Sequence, residues 1–225
     1  MDNKAKIREI FTSIQGEGPY VGTKQLFIRF CGCNLKCDYC DTDFEVSKSK
    51  DYTVAELVNL VNETGEAYTI SLTGGEPLCS VNFLKEFLPQ IKKYGHKIYL
   101  ETNATLPDAL LQVIDSVDIV SADIKLKSST GMVIAPDIYE KFFAESVKKE
   151  CFAKVVFDDR ITDEEIDLCA ELAEKYDFEL ILQPKMNGME FSVTPEFCEI
   201  IFDKFYSKYK KVRIIPQVHK FINLR

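Results

Sequence analysis

The chain predicts an α/β domain built on a parallel sheet, and three observations carry that expectation. Short β-branched or aromatic runs alternate with longer helical patterns across the 225 residues, the strand runs are almost continuously hydrophobic, and no low-complexity linker interrupts them. Such strands, covered by helices, form either an open doubly wound sheet or a curved partial barrel. Both arrangements carry their sites at the carboxyl ends of the strands.

The elements follow in order. The amino terminus, Met1-Asp2-Asn3-Lys4-Ala5-Lys6, leads straight into a strand-like pattern with no signal peptide. Strands are expected at 25–31, 68–73, 97–101, 118–121, 152–157, 178–182 and 212–215, where Val, Ile, Phe and Tyr concentrate. Helices are expected at 54–62, 83–94, 108–114, 137–149, 163–176 and 195–209, so the chain reads as six βα repeats. Thr53 with Glu56 and Thr162 with Glu165 have the spacing of capping boxes, and Thr194-Pro195 reads as a cap followed by proline at the first helical position. The whole of 1–225 is taken as one domain.

Charge and composition narrow the partners. With 28 basic and 36 acidic residues the net charge is −8, which argues against a broad electrostatic grip on nucleic acid or an anionic membrane. No apolar run approaches the roughly 18 residues of a membrane helix. A cytoplasmic location is expected, where clustered cysteines serve metals or catalysis rather than disulfides. Four of the eight cysteines fall between residues 31 and 40. The scattered Cys79, Cys151, Cys169 and Cys198 have no motif spacing and read as buried small hydrophobes.

Cys33, Cys37 and Cys40 have the spacing C-x3-C-x2-C. Thiolates are soft ligands that suit iron–sulfur clusters, copper(I) or zinc. By spacing alone, Cys31, Cys33, Cys37 and Cys40 could equally close a tetrahedral zinc site in a binding module without catalysis. The other polar and glycine-rich signatures also follow strands: Thr73-Gly74-Gly75-Glu76-Pro77, Glu101-Thr102-Asn103, Ser121-Ala122-Asp123-Ile124-Lys125 and Gln183-Pro184. All would converge on one rim.

The cysteine triplet followed by Gly74-Gly75-Glu76-Pro77 resembles the radical S-adenosylmethionine (SAM) superfamily, over the βα repeats of most of the chain. The resemblance implies a partial (β/α)6-type barrel with its cluster loop at 32–45. It also implies a four-iron, four-sulfur cluster on Cys33, Cys37 and Cys40 whose open iron binds SAM, leaving Cys31 out of the ligand set. SAM contacts are implied at Tyr39, Cys40, Asp41, Gly74, Gly75, Glu76, Ser121, Ala122, Asp123, Gln183 and Pro184, with Lys125 a further candidate. Glycines permit close approach, and Glu76 would accept from the cofactor's ammonium.

Further residues narrow the resemblance. Phe11-Thr12-Ser13-Ile14-Gln15-Gly16-Glu17-Gly18, Arg29, Cys40-Asp41-Thr42 and Pro216-Gln217-Val218-His219-Lys220 together look like the 7-carboxy-7-deazaguanine synthases. These rearrange 6-carboxy-5,6,7,8-tetrahydropterin, with loss of ammonia, on the route to queuosine and other deazapurines. A pterin offers an amide-like edge and a carboxylate, so amide, carboxylate and guanidinium partners are needed together. The resemblance implies substrate contacts at Ile14, Gln15, Gly16, Glu17, Arg29, Thr73 and His219. It also implies a Mg2+ ion on Thr42, a flavodoxin or ferredoxin as electron donor, and a homodimer. The rival enzyme class is a glycyl-radical enzyme activase, which acts on a protein loop and has no need of the Gln15, Glu17, Arg29 and Thr42 set. Ala104 follows Glu101-Thr102-Asn103 where glycine is common in the family.

Overall fold

The computed structural model describes residues 3–38, 40 and 49–224. Its sheet runs through β1 (Lys4–Ile14), β2 (Lys24–Phe30), β3 (Lys50–Thr53), β4 (Thr69–Gly74), β5 (Ile98–Thr102), β6 (Ile119–Asp123), β7 (Glu150–Phe157), β8 (Glu179–Pro184) and β11 (Val212–Ile214). The order across the sheet is β11-β8-β7-β6-β5-β4-β2-β1-β3. From β2 to β11 all neighbours are parallel, while β1 runs antiparallel to both β2 and β3.

Each of the seven expected strands is present, shifted by a residue or two, and together they form the parallel part of the sheet. Helices α1 (Val54–Glu63) and α6 (Asp163–Tyr176) start at complete capping boxes, Thr53 with Glu56 and Thr162 with Glu165. The remaining long helices are α2 (Val81–Lys93), α5 (Pro136–Ser146) and α7 (Pro195–Lys208). The helix expected at 108–114 is instead the short α3 (Pro107–Leu111) and a separate single turn, Ile114–Ser116. The sequence reading also missed α4 (Lys127–Thr130), the hairpin of β9 (Met186–Asn187) with β10 (Glu190–Phe191), and α8 (Val218–Phe221). These elements are too short to show a period.

The two faces of the sheet differ in kind. Side chains alternate across a strand, and Ile28, Phe30, Ile70, Leu72, Leu100, Val120, Ala122, Ala153, Val155, Leu180 and Leu182 turn outward into one core with the helices. There Phe143 of α5 stacks on Phe178 at 4.2 Å between ring centroids. The inner face is not continuously hydrophobic. Tyr99, Ile119, Phe152 and Ile181 form an apolar floor capped by Tyr20 and Ile215, and nearer the strand carboxyl ends the inner positions become Thr73, Glu101, Asp123, Lys154 and Gln183.

The sheet curls around this inner face. Five strand spacings separate β7 from β1, about 24 Å in a flat sheet. Yet Lys154 of β7 meets Glu17, three residues past β1, at 2.5 Å. The sheet is therefore a partial barrel, open between its two edge strands.

At the upper rim, Gly74 (φ +111°) and Gly75 lock the end of β4 to the chain leaving β2. A Cβ on Gly75 would lie 1.9 Å from the Gly32 carbonyl oxygen, and one on Gly74 2.3 Å from that of Phe30. The Gly75 N–H donates to Phe30 O at 3.1 Å and the Glu76 N–H to Gly32 O at 2.8 Å.

Two measurements check this packing. Phe143→Ala should lower stability by about 3–5 kcal/mol in urea unfolding, since a fully buried ring leaves a cavity. Gly75→Ala should cost about 1–3 kcal/mol, because all three atoms a Cβ would meet are backbone, and should speed hydrogen exchange at the Glu76 amide while leaving β7 and β8 protected.

Candidate functional site

A cavity of about 860 Å3 opens at the carboxyl ends of the strands, a size suited to a small molecule together with a cofactor. Of the residues expected from the sequence, Gln15, Glu17, Arg29, Cys33, Cys37, Cys40, Thr73, Gly74, Gly75, Asp123, Gln183 and His219 line it, as does Lys125. Tyr39, Asp41 and Thr42 lie outside the described residues. The convergence has a simple cause: parallel strands place every strand-to-helix connection on the same rim.

The described residues of the cysteine loop are anchored largely by side-chain contacts. Asn34 donates to Thr105 Oγ1 at 2.8 Å, and Asn103 Nδ2 donates to Asn34 Oδ1 at 2.8 Å and to Cys33 Sγ at 3.7 Å. The Leu35 N–H donates to Cys33 Sγ at 3.4 Å, and the Asp38 N–H to Thr130 O at 3.1 Å. Partial burial raises the Cys33 and Cys37 thiols; Cys37 also senses the charges of Cys33 and Cys40, and Lys125 opposes its rise. Among the described residues, no three His, Cys, Asp or Glu side chains are gathered at metal-holding distance. The three thiols nonetheless share one cavity, whereas Cys31 does not line it and Cys79 is exposed on the neighbouring turn rather than buried.

The donor set fits a thiolate-held cluster and a polar cofactor. Soft sulfur ligands sit beside the two glycines, and two buried oxygens of the rim, Asp123 Oδ1 and Gln183 Oε1, have no hydrogen-bond partner within the protein. Buried acceptors are normally satisfied, so orphans facing a cavity mark where a ligand's donors belong. Asp123 Oδ2 is already taken by Lys125 Nζ at 2.7 Å.

Other expected contacts lie elsewhere. Glu76 is buried behind the rim, where it accepts from Leu78 N at 3.1 Å, Thr102 Oγ1 at 2.9 Å and Asn103 N at 2.7 Å. Burial pushes its carboxyl up to about 7 against the pull of those donors. It orients the Asn103 strap rather than facing the cavity. Ala122 belongs to the helix-side core and, by strand alternation, Pro184 shares that side; Ser121 is buried on the inner face below the cavity. Ile14 is exposed at the end of β1, and Gly16 lies beneath the His219 ring, whose Nδ1 would be 2.3 Å from a Cβ there.

The half of the cavity near β1 is a polar network. Gln15 Nε2 donates to Glu101 Oε1 at 2.9 Å and to Gln25 Oε1 at 3.2 Å, and Gln15 Oε1 accepts from Glu17 N at 3.0 Å. Thr73 Oγ1 donates to Glu101 Oε2 at 2.8 Å. Glu17 accepts from Lys154 Nζ at 2.5 Å and from Gln217 Nε2 at 2.7 Å. Burial works to raise the Glu17 carboxyl, but the Lys154 ammonium and the two donors overcome it and hold it at about 2. Arg29 directs Nε toward Glu9 at 3.0 Å and lies over the Phe11 ring at 5.6 Å.

Lys154 was not expected at the site, while Glu101 and Gln217 belong to segments expected near it but were given no contact of their own. A signal existed for Lys154: it is the lone charge inside Phe152-Ala153-Lys154-Val155-Val156-Phe157. A buried lysine without a partner would be costly, so a carboxylate across the barrel was implied, though not which one.

Comparison with known proteins follows this geometry. The Radical SAM superfamily model matches residues 27–130. The 7-carboxy-7-deazaguanine synthase of Geobacter sulfurreducens is 33% identical, with 97% of each chain covered. That of Archaeoglobus fulgidus is 31% identical over 99% of this chain and 100% of its own. Among solved structures, that of QueE from Escherichia coli superposes with a TM-score of 0.67 at 19% identity, over 96% of this chain and 95% of that one. A radical SAM methyltransferase from Sphaerobacter thermophilus superposes at 0.62 and 11% identity, over 92% of this chain and 77% of that one. With near-complete coverage above 30% identity, the chain belongs to the 7-carboxy-7-deazaguanine synthase family of radical SAM enzymes.

Proposed function

We propose that the chain is a carbon–nitrogen lyase that converts 6-carboxy-5,6,7,8-tetrahydropterin to 7-carboxy-7-deazaguanine with loss of ammonia, a step of deazapurine and queuosine formation. One observation supports this above the others: a single cavity is lined jointly by the three cysteine thiols and by Gln15, Glu17, Arg29 and Thr73. An activase working on a protein loop has no use for that second set.

Cys33, Cys37 and Cys40 would hold the four-iron, four-sulfur cluster, and the cluster with SAM supplies one-electron, hydrogen-abstracting chemistry at a substrate carbon. Gly74, Gly75, Asp123 and Gln183 are the proposed SAM contacts, with the orphaned Asp123 Oδ1 and Gln183 Oε1 as acceptors for its donors. Gln15 and Glu17 would read the pterin's amide-like edge, with Thr73 and His219 beside them. Arg29, steadied by Glu9 and Phe11, would pair with the substrate carboxylate in a planar fork that lysine lacks. Thr42 is the proposed Mg2+ ligand, a hard oxygen suited to that ion. The apolar floor of Tyr99, Ile119, Phe152 and Ile181 closes the lower end of the inner face and excludes water there. A flavodoxin or ferredoxin as electron donor and a homodimeric assembly complete the proposal; no described helix is long and apolar enough to cross a membrane.

Anaerobic incubation of the reconstituted protein with the tetrahydropterin, SAM, Mg2+ and a reductant should yield the deazapurine and ammonia. Absence of that product from protein with its full iron content would overturn the proposal. Arg29→Lys should raise KM for the pterin on the order of 10- to 100-fold, the scale of losing a charge-assisted pair, with iron content unchanged. Cys37→Ala should lose the cluster's visible absorption together with all product.

A further inference from the structure

We propose that Lys154 is a positioning residue for substrate selection: paired with Glu17 across the barrel, it holds that side chain as an acceptor-only carboxylate, so the site selects a ligand edge presenting two N–H donors. The proposal rests on the pterin reading above.

The geometry carries it. Lys154 is 6% exposed and its ammonium touches Glu17 Oε2 at 2.5 Å, while Gln217 Nε2 reaches Glu17 Oε1 at 2.7 Å. Each carboxylate oxygen has two acceptor sites. Lys154 and Gln217 take one on each, which leaves one on each for a ligand. An ionised carboxylate cannot donate, so a ligand edge with a carbonyl at either place meets lone pair against lone pair. A pterin offers N3–H and the 2-amino group side by side, two donors for the two acceptor sites that remain.

The surroundings explain why lysine is needed. Glu17 is faced by Lys154 from β7, by His219 and Gln217 at the carboxyl-terminal end, and by Tyr99 from β5; Lys154 is itself surrounded by Glu17, Asp123 and Glu101. These carboxylates keep the lysine charged despite burial, and the lysine keeps Glu17 charged despite burial. Without Lys154, burial would raise Glu17 above its ordinary range, where it would gain a proton and become a donor–acceptor pair. Its acceptor form would then be present at high pH and lost as pH falls.

The test is equilibrium binding of pterin-6-carboxylate and lumazine-6-carboxylate, in which a carbonyl replaces the 2-amino group, to anaerobic holoenzyme, wild type, Lys154→Met and Lys154→Arg. Wild type should prefer the pterin by on the order of 10- to 100-fold, the worth of one charge-assisted hydrogen bond against a repulsive contact. Lys154→Met should lose most of that preference, and its pterin affinity should fall between about pH 7 and pH 5 by more than wild type's does. Lys154→Arg should restore the preference. A Lys154→Met protein that keeps wild-type preference and pH response overturns this proposal alone, whereas a wild-type protein with no preference for the pterin overturns the functional reading as well. If Lys154→Met does not fold, Lys154→Gln, which is neutral but can still donate to Glu17, takes its place: a lost preference with a steeper pH response supports the proposal, and wild-type preference and pH response overturn it.

Discussion

The Glu17–Lys154 ion pair is the interaction on which the shape of the site depends. It joins the turn after β1 to the middle of β7 across the concave face, and Gln217 adds the carboxyl-terminal segment to the same carboxylate. Two charges removed from water recover little net stability even when well paired. The pair is therefore better understood as a registration device. It brings together parts of the sheet that hydrogen bonding along the strands would leave about 24 Å apart, and it imposes a fixed charge pattern on one wall of the cavity. Lysine suits the task because its flexible stem reaches from a strand whose alternate residues, Ala153 and Val155, belong to the outer core.

The opposite wall is held by backbone contact. The Gly75 Cα approaches the Gly32 carbonyl too closely for any side chain, and the Gly74–Phe30 approach is nearly as tight. The two glycines thus serve the protein's own assembly as well as the cavity they line. Glu76 extends that clamp to β5 by accepting from Thr102 and Asn103, and Asn103 in turn steadies Asn34 and Cys33. The described residues of the cysteine loop are consequently referenced to the ends of β2, β4 and β5. Ala104 marks the strain in this strap: it is fully buried with φ +58°, a left-handed conformation that costs a residue with a Cβ about 1–2 kcal/mol.

The strands and long helices were legible because their periods and caps are local properties. Thr53 with Glu56 and Thr162 with Glu165 set helix starts by contacts three residues apart, so the sequence alone located them. The cysteine spacing and the signatures after each strand were legible for the same reason, and parallel topology then placed them on one rim. The short α4 and β9–β10 elements were not legible, since two to four residues hold too little pattern to distinguish from a turn.

What the sequence determined by itself was the inventory: an α/β chain, a thiolate triplet, a Gly-Gly-Glu-Pro step, and amide, carboxylate and guanidinium groups for one small molecule. Only the tertiary structure decided which of those groups face the cavity. Glu76 turned behind the rim because three donors wait for it there, and Ala122 turned outward because alternation along β6 put it on the helix side. Lys154, Glu101 and Gln217 entered the site through contacts 137, 86 and 200 residues apart in the chain. Such pairings depend on how far the sheet curls, and that is set by the packing of every strand at once rather than by any local run of residues.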